Sequence, residues 1–165
     1  MKTIFFFIAC LFVVNSLSAQ ADSLQPPYKR FPTIPPLKLM PIGSTTVFTK
    51  DQLKKNKPVL IILFSPDCEH CQHETEELIK NMDHFKKIQI VMATMMPFEK
   101  MTAFYDRYDL KRFDNIVVGQ DIYYLLPSFY RVRNLPYLAM YDKKGKLLST
   151  YEGNMSMEKV LKIFD

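Results

Sequence analysis

The residues best able to do chemistry lie in one short stretch, Phe64-Ser65-Pro66-Asp67-Cys68-Glu69-His70-Cys71. A sulfur attacks a disulfide only as the thiolate, and an ordinary cysteine is mostly protonated at neutral pH. Cys68 stands where a helix is expected to begin, so unsatisfied backbone N–H groups and the positive end of the helix dipole would favour its ionised form. Cys71 follows one helical turn later, close enough to close a ring with Cys68 and release whatever Cys68 has captured. Cys68 is therefore the candidate nucleophile and Cys71 the candidate resolving thiol. A purely structural bridge is the weaker reading, since closing so small a loop is worth roughly 2 kcal/mol against about 5 for a loop of about a hundred residues. His70, between the two sulfurs, would add positive charge near Cys68 when protonated, whereas Asp67, Glu69 and Glu74 would raise the thiol pKa. These effects oppose one another, and both directions of electron flow stay open.

Such a pair needs a rigid support. Val59-Leu60-Ile61-Ile62-Leu63-Phe64 is an unbroken apolar run between Pro58 and Ser65-Pro66, the pattern of a strand buried on both faces. From Cys68 to about Phe85 the spacing is helical, with Thr75, Leu78, Ile79, Met82 and Phe85 on one face and Glu76, Glu77, Lys80 and Asp83 on the other. Upstream, Thr49 and Gln52 have capping-box spacing for a short helix that stops before Pro58. Downstream, the pattern predicts a second buried strand over 88–93, a helix over 98–108, a short strand over 115–118, and a short helix or irregular segment over 122–130. Strands over 138–141 and 147–151 flank Asp142-Lys-Lys-Gly145, a hairpin turn with glycine where φ must be positive. Ser156 is the expected N-cap of a last helix that turns Met157, Val160, Leu161 and Phe164 inward. The class is α/β, with a mixed central sheet flanked by helices.

At 165 residues, 48% of them hydrophobic in type and 24% charged, the chain suits one compact domain. The net charge of +5 comes from Lys and Arg scattered in pairs such as Lys54-Lys55 and Lys143-Lys144, which gives nucleic-acid binding no support. Residues 1–19 have the layout of a secretory signal: Lys2, an apolar run from Ile4 to Val14, then small and polar residues, with cleavage expected after Ala19 or after Ala21. The run is too short for a bilayer anchor, so no stable membrane attachment is expected after cleavage. Lipidation at Cys10 is disfavoured because apolar residues continue beyond it. Without Cys10 the exported chain carries only Cys68 and Cys71, in an oxidising location, periplasmic or secreted. Residues 20–41 read as a proline-rich leader arm whose six prolines between 22 and 41 block a helix, leaving 42–165 as the domain.

On these residues the chain resembles the thioredoxin-like superfamily, and within it the exported thiol–disulfide oxidoreductases of the TlpA/ResA-like, redoxin branch. The resemblance spans roughly Ile34 to Phe164. It is carried by the apolar strand running into Cys68-Glu-His-Cys71, by Tyr130-Arg-Val132-Arg-Asn-Leu135-Pro136, and by the hairpin that follows. It implies that Pro136 is cis and packs against the dithiol, that the Leu135 backbone pairs with the substrate chain, with Tyr137 beside it, and that Glu74 relays protons for the buried thiol. The chain departs from the family in having Asp67 where Trp commonly precedes the first cysteine, Ile62 where cytoplasmic thioredoxins carry a buried acid, and Tyr137 where a small Thr is common.

Three rival readings are weaker. Cys68, His70, Cys71 and His73 could ligate copper or zinc in a carrier, but on one helix the imidazoles and both sulfurs converge poorly on one ion. A redoxin-type peroxidase would carry Pro and Thr where Ile61 and Ser65 stand. A non-catalytic binding module would use the Met95-Met96-Pro97-Phe98 and Tyr123-Tyr-Leu-Leu-Pro127 stretches, yet would have no need of both cysteines. The expected function is extracytoplasmic disulfide exchange with protein thiol clients, recycled by a redox partner, in a monomer without metal or other cofactor.

Overall fold

A computed structural model describes residues 25–165; the expected signal segment and Cys10 lie outside the described residues. A single helical turn, α1 (Pro27–Arg30), opens on the proline-rich arm, which then runs extended into β1 (Leu39–Pro41). Leu37 and Leu39 of this arm are buried. The Thr49 segment forms only a 3-10 turn over Lys50–Gln52, in which the Thr49 N–H donates to Gln52 Oε1 at 2.7 Å. β2 (Val59–Leu63) follows, and all five of its residues are buried.

The helix expected from Cys68 to Phe85 is two elements, α2 (Glu69–Lys80) and α3 (Met82–Phe85). Asn81 separates them at φ −104° and ψ 10°, and its side-chain amide donates to the Glu77 carbonyl at 2.8 Å. An asparagine competes for backbone partners in this way and so ends helices. Met82 and Phe85 remain buried on the same side.

β3 (Gln89–Thr94), α4 (Phe98–Arg107) and β4 (Ile116–Asp121) come next, followed by α5 (Leu125–Tyr130), β5 (Tyr137–Tyr141), β6 (Leu147–Glu152) and α6 (Met157–Phe164). The sheet has the order β1-β4-β3-β2-β5-β6, with β2, β3 and β4 mutually parallel and the remaining pairs antiparallel. β4 is longer than the expected strand because β1 pairs with its second half, Leu39 opposite Asp121 and Pro41 opposite Gly119. That pairing is close: a Cβ on Gly119 would stand 2.8 Å from Leu39 Cβ. The hairpin behaves as its residues require, with Gly145 at φ +79° and Asp142 Oδ1 accepting the Lys144 and Lys146 N–H groups. Ser156 holds the N-cap position of α6 through its carbonyl alone, without a side-chain bond.

Alternation along β2 divides the core. Leu60, Ile62 and the following Phe64 face the layer of α2, α4 and α6, whereas Val59, Ile61 and Leu63 face the N-terminal arm and α5. Both faces of the central strand are thus covered, which is why the run carries no polar residue. Among the described residues no helix is long and apolar enough to cross a membrane.

Candidate active site

The dithiol segment leaves the C-terminal end of β2 in the middle of the sheet. Pro66 is buried, and its carbonyl accepts Gln72 Nε2 at 2.8 Å, which ties the turn to the first part of α2. Cys68 is the N-cap residue of α2, with extended backbone (φ −90°, ψ 117°), and its side chain makes no capping bond to the helix. Its half-buried thiol instead donates to the Leu135 carbonyl at 3.8 Å, across the gap to the turn before β5. The first N–H groups of α2 thus donate no bond to the Cys68 side chain.

Cys71 differs sharply. Its side chain is 1% exposed, its Sγ accepts the Ser65 N–H at 3.4 Å, and both cysteines are free thiols. Burial pushes the Cys71 thiol up to about 12; the Ser65 N–H opposes this, while Cys68 and the charge of Glu74 add to it.

Glu74 is 2% exposed, so it is not a solvated helix carboxylate. Its Oε2 accepts Asn154 Nδ2 at 3.0 Å and the Met155 N–H at 3.1 Å, while Oε1 is buried without a hydrogen-bond partner. Burial raises its carboxyl above the ordinary value, and the bonds from Asn154 and Met155 pull it back in part.

The Leu135–Pro136 peptide is cis, and Pro136 is buried. The structure therefore brings Cys68, Cys71, Glu74, Leu135 and Pro136 to one end of the sheet. His70 lies on the exposed side of α2; its backbone carbonyl accepts Asn154 Nδ2 at 2.7 Å. Tyr137 is not brought to the sulfurs. Its ring is buried on the opposite face of the sheet, 5.0 Å centroid to centroid from Tyr130, because the residue after the proline points to the far side of β5. Ile62, by contrast, packs on the Cys71 side.

Asp67 forms an ion pair with Lys100 of α4, so the acid adjacent to Cys68 is not an isolated negative charge. His70 and His73 are exposed while Cys71 is buried, and among the described residues no group of three or more metal-ligating side chains converges. The loops after β3 and β4 add a rim of exposed apolar side chains at this end, Phe98, Ile122, Tyr123 and Tyr124. Asn154, missed by sequence reasoning, sits 80 residues from Glu74 in a polar loop with no periodic pattern to mark it.

The family described as "Thioredoxin-like domain" matches residues 48–165. No curated protein matches the chain. Solved structures share the fold at low identity. A secreted Mycobacterium tuberculosis disulfide oxidoreductase homologous to E. coli DsbE is 18% identical, with TM-score 0.64 over 77% of this chain and 92% of that one. A thiol–disulfide oxidoreductase from Bacteroides fragilis is 14% identical, with TM-score 0.65 over 79% and 97% of the two chains. StoA from Bacillus subtilis is 15% identical, with TM-score 0.59 over 80% and 98%.

Proposed function

The chain belongs to the thioredoxin-like domain family, and from that premise we propose that it is an extracytoplasmic thiol–disulfide oxidoreductase acting on protein thiols through Cys68 and Cys71. The observation that carries the reading is the unequal pair of thiols. Cys68 is half-buried at a helix N-terminus, while Cys71 is sealed beneath it with its thiol held at about 12. The reachable sulfur attacks, and the sealed one stays protonated until it is needed.

In the reducing direction, the Cys68 thiolate attacks a client disulfide, forming a Cys68–client bond and releasing the other client sulfur as a thiolate. Cys71 then gives its proton to the Glu74 carboxylate and attacks Cys68 Sγ. A Cys68–Cys71 disulfide forms, the Cys68–client bond breaks, and its electron pair leaves on the second client sulfur. The oxidising direction is the same path reversed, and a redox partner restores the starting state. In this reading the Leu135 backbone, whose carbonyl lies 3.8 Å from Cys68 Sγ, pairs with an extended client chain, and Pro136 shapes the groove beside it. His70, exposed two residues beyond Cys68, adds positive charge near that sulfur when protonated. Export rests on the signal-like layout of residues 1–19, and the catalytic domain extends over 42–165 behind the 20–41 leader arm.

A Cys71→Ser variant expressed with its own N-terminus tests this. Cys68 should capture clients as stable mixed disulfides that reductant releases. Recovery of none, with the variant folded, overturns the assignment.

A further inference from the structure

The loop between β6 and α6 reaches across to the first turns of α2. Asn154 Nδ2 donates to the His70 carbonyl at 2.7 Å and to Glu74 Oε2 at 3.0 Å, and the Met155 N–H donates to the same oxygen at 3.1 Å. One amide thereby joins the backbone between the two cysteines to the buried carboxylate of the next turn. Since Glu74 Oε1 is buried without a partner, the two bonds to Oε2 are the hydrogen-bonded support of this carboxylate among the described residues. A buried carboxylate so thinly supported is costly to ionise, and each N–H···O⁻ bond favours its charged form.

We propose that Asn154 is the positioning residue of the resolving step: by tying Glu74 Oε2 to the α2 backbone it keeps a carboxylate ready to accept the Cys71 proton. The inference rests on the disulfide-exchange reading of Cys68 and Cys71. Among the influences that keep Glu74 ionised against burial, the Asn154 bond is the largest; the Met155 N–H and the charge of His73 follow, and Glu77 acts the other way. The titratable groups that bear on Glu74 are on its own helix, namely His73, Glu77 and Cys71, while the β6–α6 loop offers uncharged donors. Losing Asn154 therefore leaves Glu74 protonated at pH values where it is ionised in the intact protein. Cys71 then lacks its base.

The test uses Asn154→Ala and Asn154→Asp, each alone and combined with Glu74→Gln. Stopped-flow reaction of the reduced protein with 5,5′-dithiobis(2-nitrobenzoate) releases one aromatic thiolate on capture by Cys68 and a second when Cys71 closes the disulfide. In Asn154→Ala the capture phase should hold, while the closing phase slows about ten- to a hundredfold near neutrality, the scale of one hydrogen bond to a charged group, and its pH profile moves upward. Asn154→Asp, which sets a second carboxylate beside the first, should shift the profile in the same direction. In the Glu74→Gln background neither change should slow closure further. Carbon NMR of the Glu74 carboxyl, read in parallel, should show its titration moving to higher pH. An unmoved titration, or equal slowing with and without Glu74, overturns the proposal. A wild type without the second phase overturns the disulfide-exchange reading, and with it the positioning role, whatever the carboxyl titration shows.

Discussion

Replacing Glu74 by glutamine should make the protein more stable and less able to complete disulfide exchange. The carboxylate is 2% exposed, Oε2 holds two donors and Oε1 holds none. Glutamine keeps an acceptor for Asn154 and the Met155 N–H while removing the buried charge. Burying an unpartnered group costs about 1–3 kcal/mol, and more when it is charged. Glutamine removes the charge, but its NH2 stays unpartnered where Oε1 stood and two neutral bonds replace charged ones, so only part of that cost is relieved. A net gain of about 1 kcal/mol at pH 7 is expected, which is about 2–4 °C in midpoint temperature for a domain of this size. The pH dependence makes the cause identifiable. The Glu74 carboxyl is raised in the folded state above its ordinary 4.5, so the folded state holds the proton more tightly than the unfolded one. The wild type should gain stability as pH falls from neutrality through the folded value toward about 4.5, and lose it again as pH rises. Glu74→Gln lacks this component, so its advantage at pH 7 should shrink as the medium is acidified. Urea unfolding of both reduced proteins across this range measures the gap. A variant no more stable at pH 7, or a gap independent of pH, would refute the argument from burial.

Other consequences are equally direct. Iodoacetamide at pH 8 should label Cys68 and spare Cys71 in the folded protein, because a thiol held at about 12 is ionised in roughly one molecule in ten thousand at that pH; mass spectrometry showing prompt labelling of Cys71 would contradict its burial. Gly119→Ala should cost about 1–3 kcal/mol in chemical denaturation and raise hydrogen exchange in β1, since the new methyl would meet Leu39 Cβ at 2.8 Å; retained protection there would argue against the β1–β4 contact. Asp121→Ala should destabilise by about 1–2 kcal/mol and loosen the start of α5, because the buried carboxylate accepts the Leu125 and Leu126 N–H groups at 3.2 and 2.8 Å. Unchanged exchange at Leu125 and Leu126 would count against that cap.

Local pattern carried much of this molecule. The apolar run at 59–64 announced a doubly covered strand, because a position buried on both faces tolerates no polar side chain. Cys68 and Cys71 stood out because their spacing matches one helical turn, and the Asp142–Gly145 turn because only certain residues satisfy its backbone. Their chemistry is local, and so sequence displays it.

What sequence could not display is which groups lose water, and which distant atoms meet them. Cys71 and His70 are neighbours in the chain, yet packing under β2 buries one and leaves the other in solvent, and burial pushes the Cys71 thiol up to about 12. Glu74 reads as an ordinary helix acid until a loop 80 residues away closes over it and Asn154 binds its carboxylate. Tyr137 reads as a neighbour of the dithiol until the alternation of β5 turns its ring to the other face of the sheet. Cysteine spacing by itself determined that exchange chemistry was available. Desolvation and long-range hydrogen bonds, which exist only in the folded chain, decided which sulfur is reachable and which carboxylate of the same helix is buried.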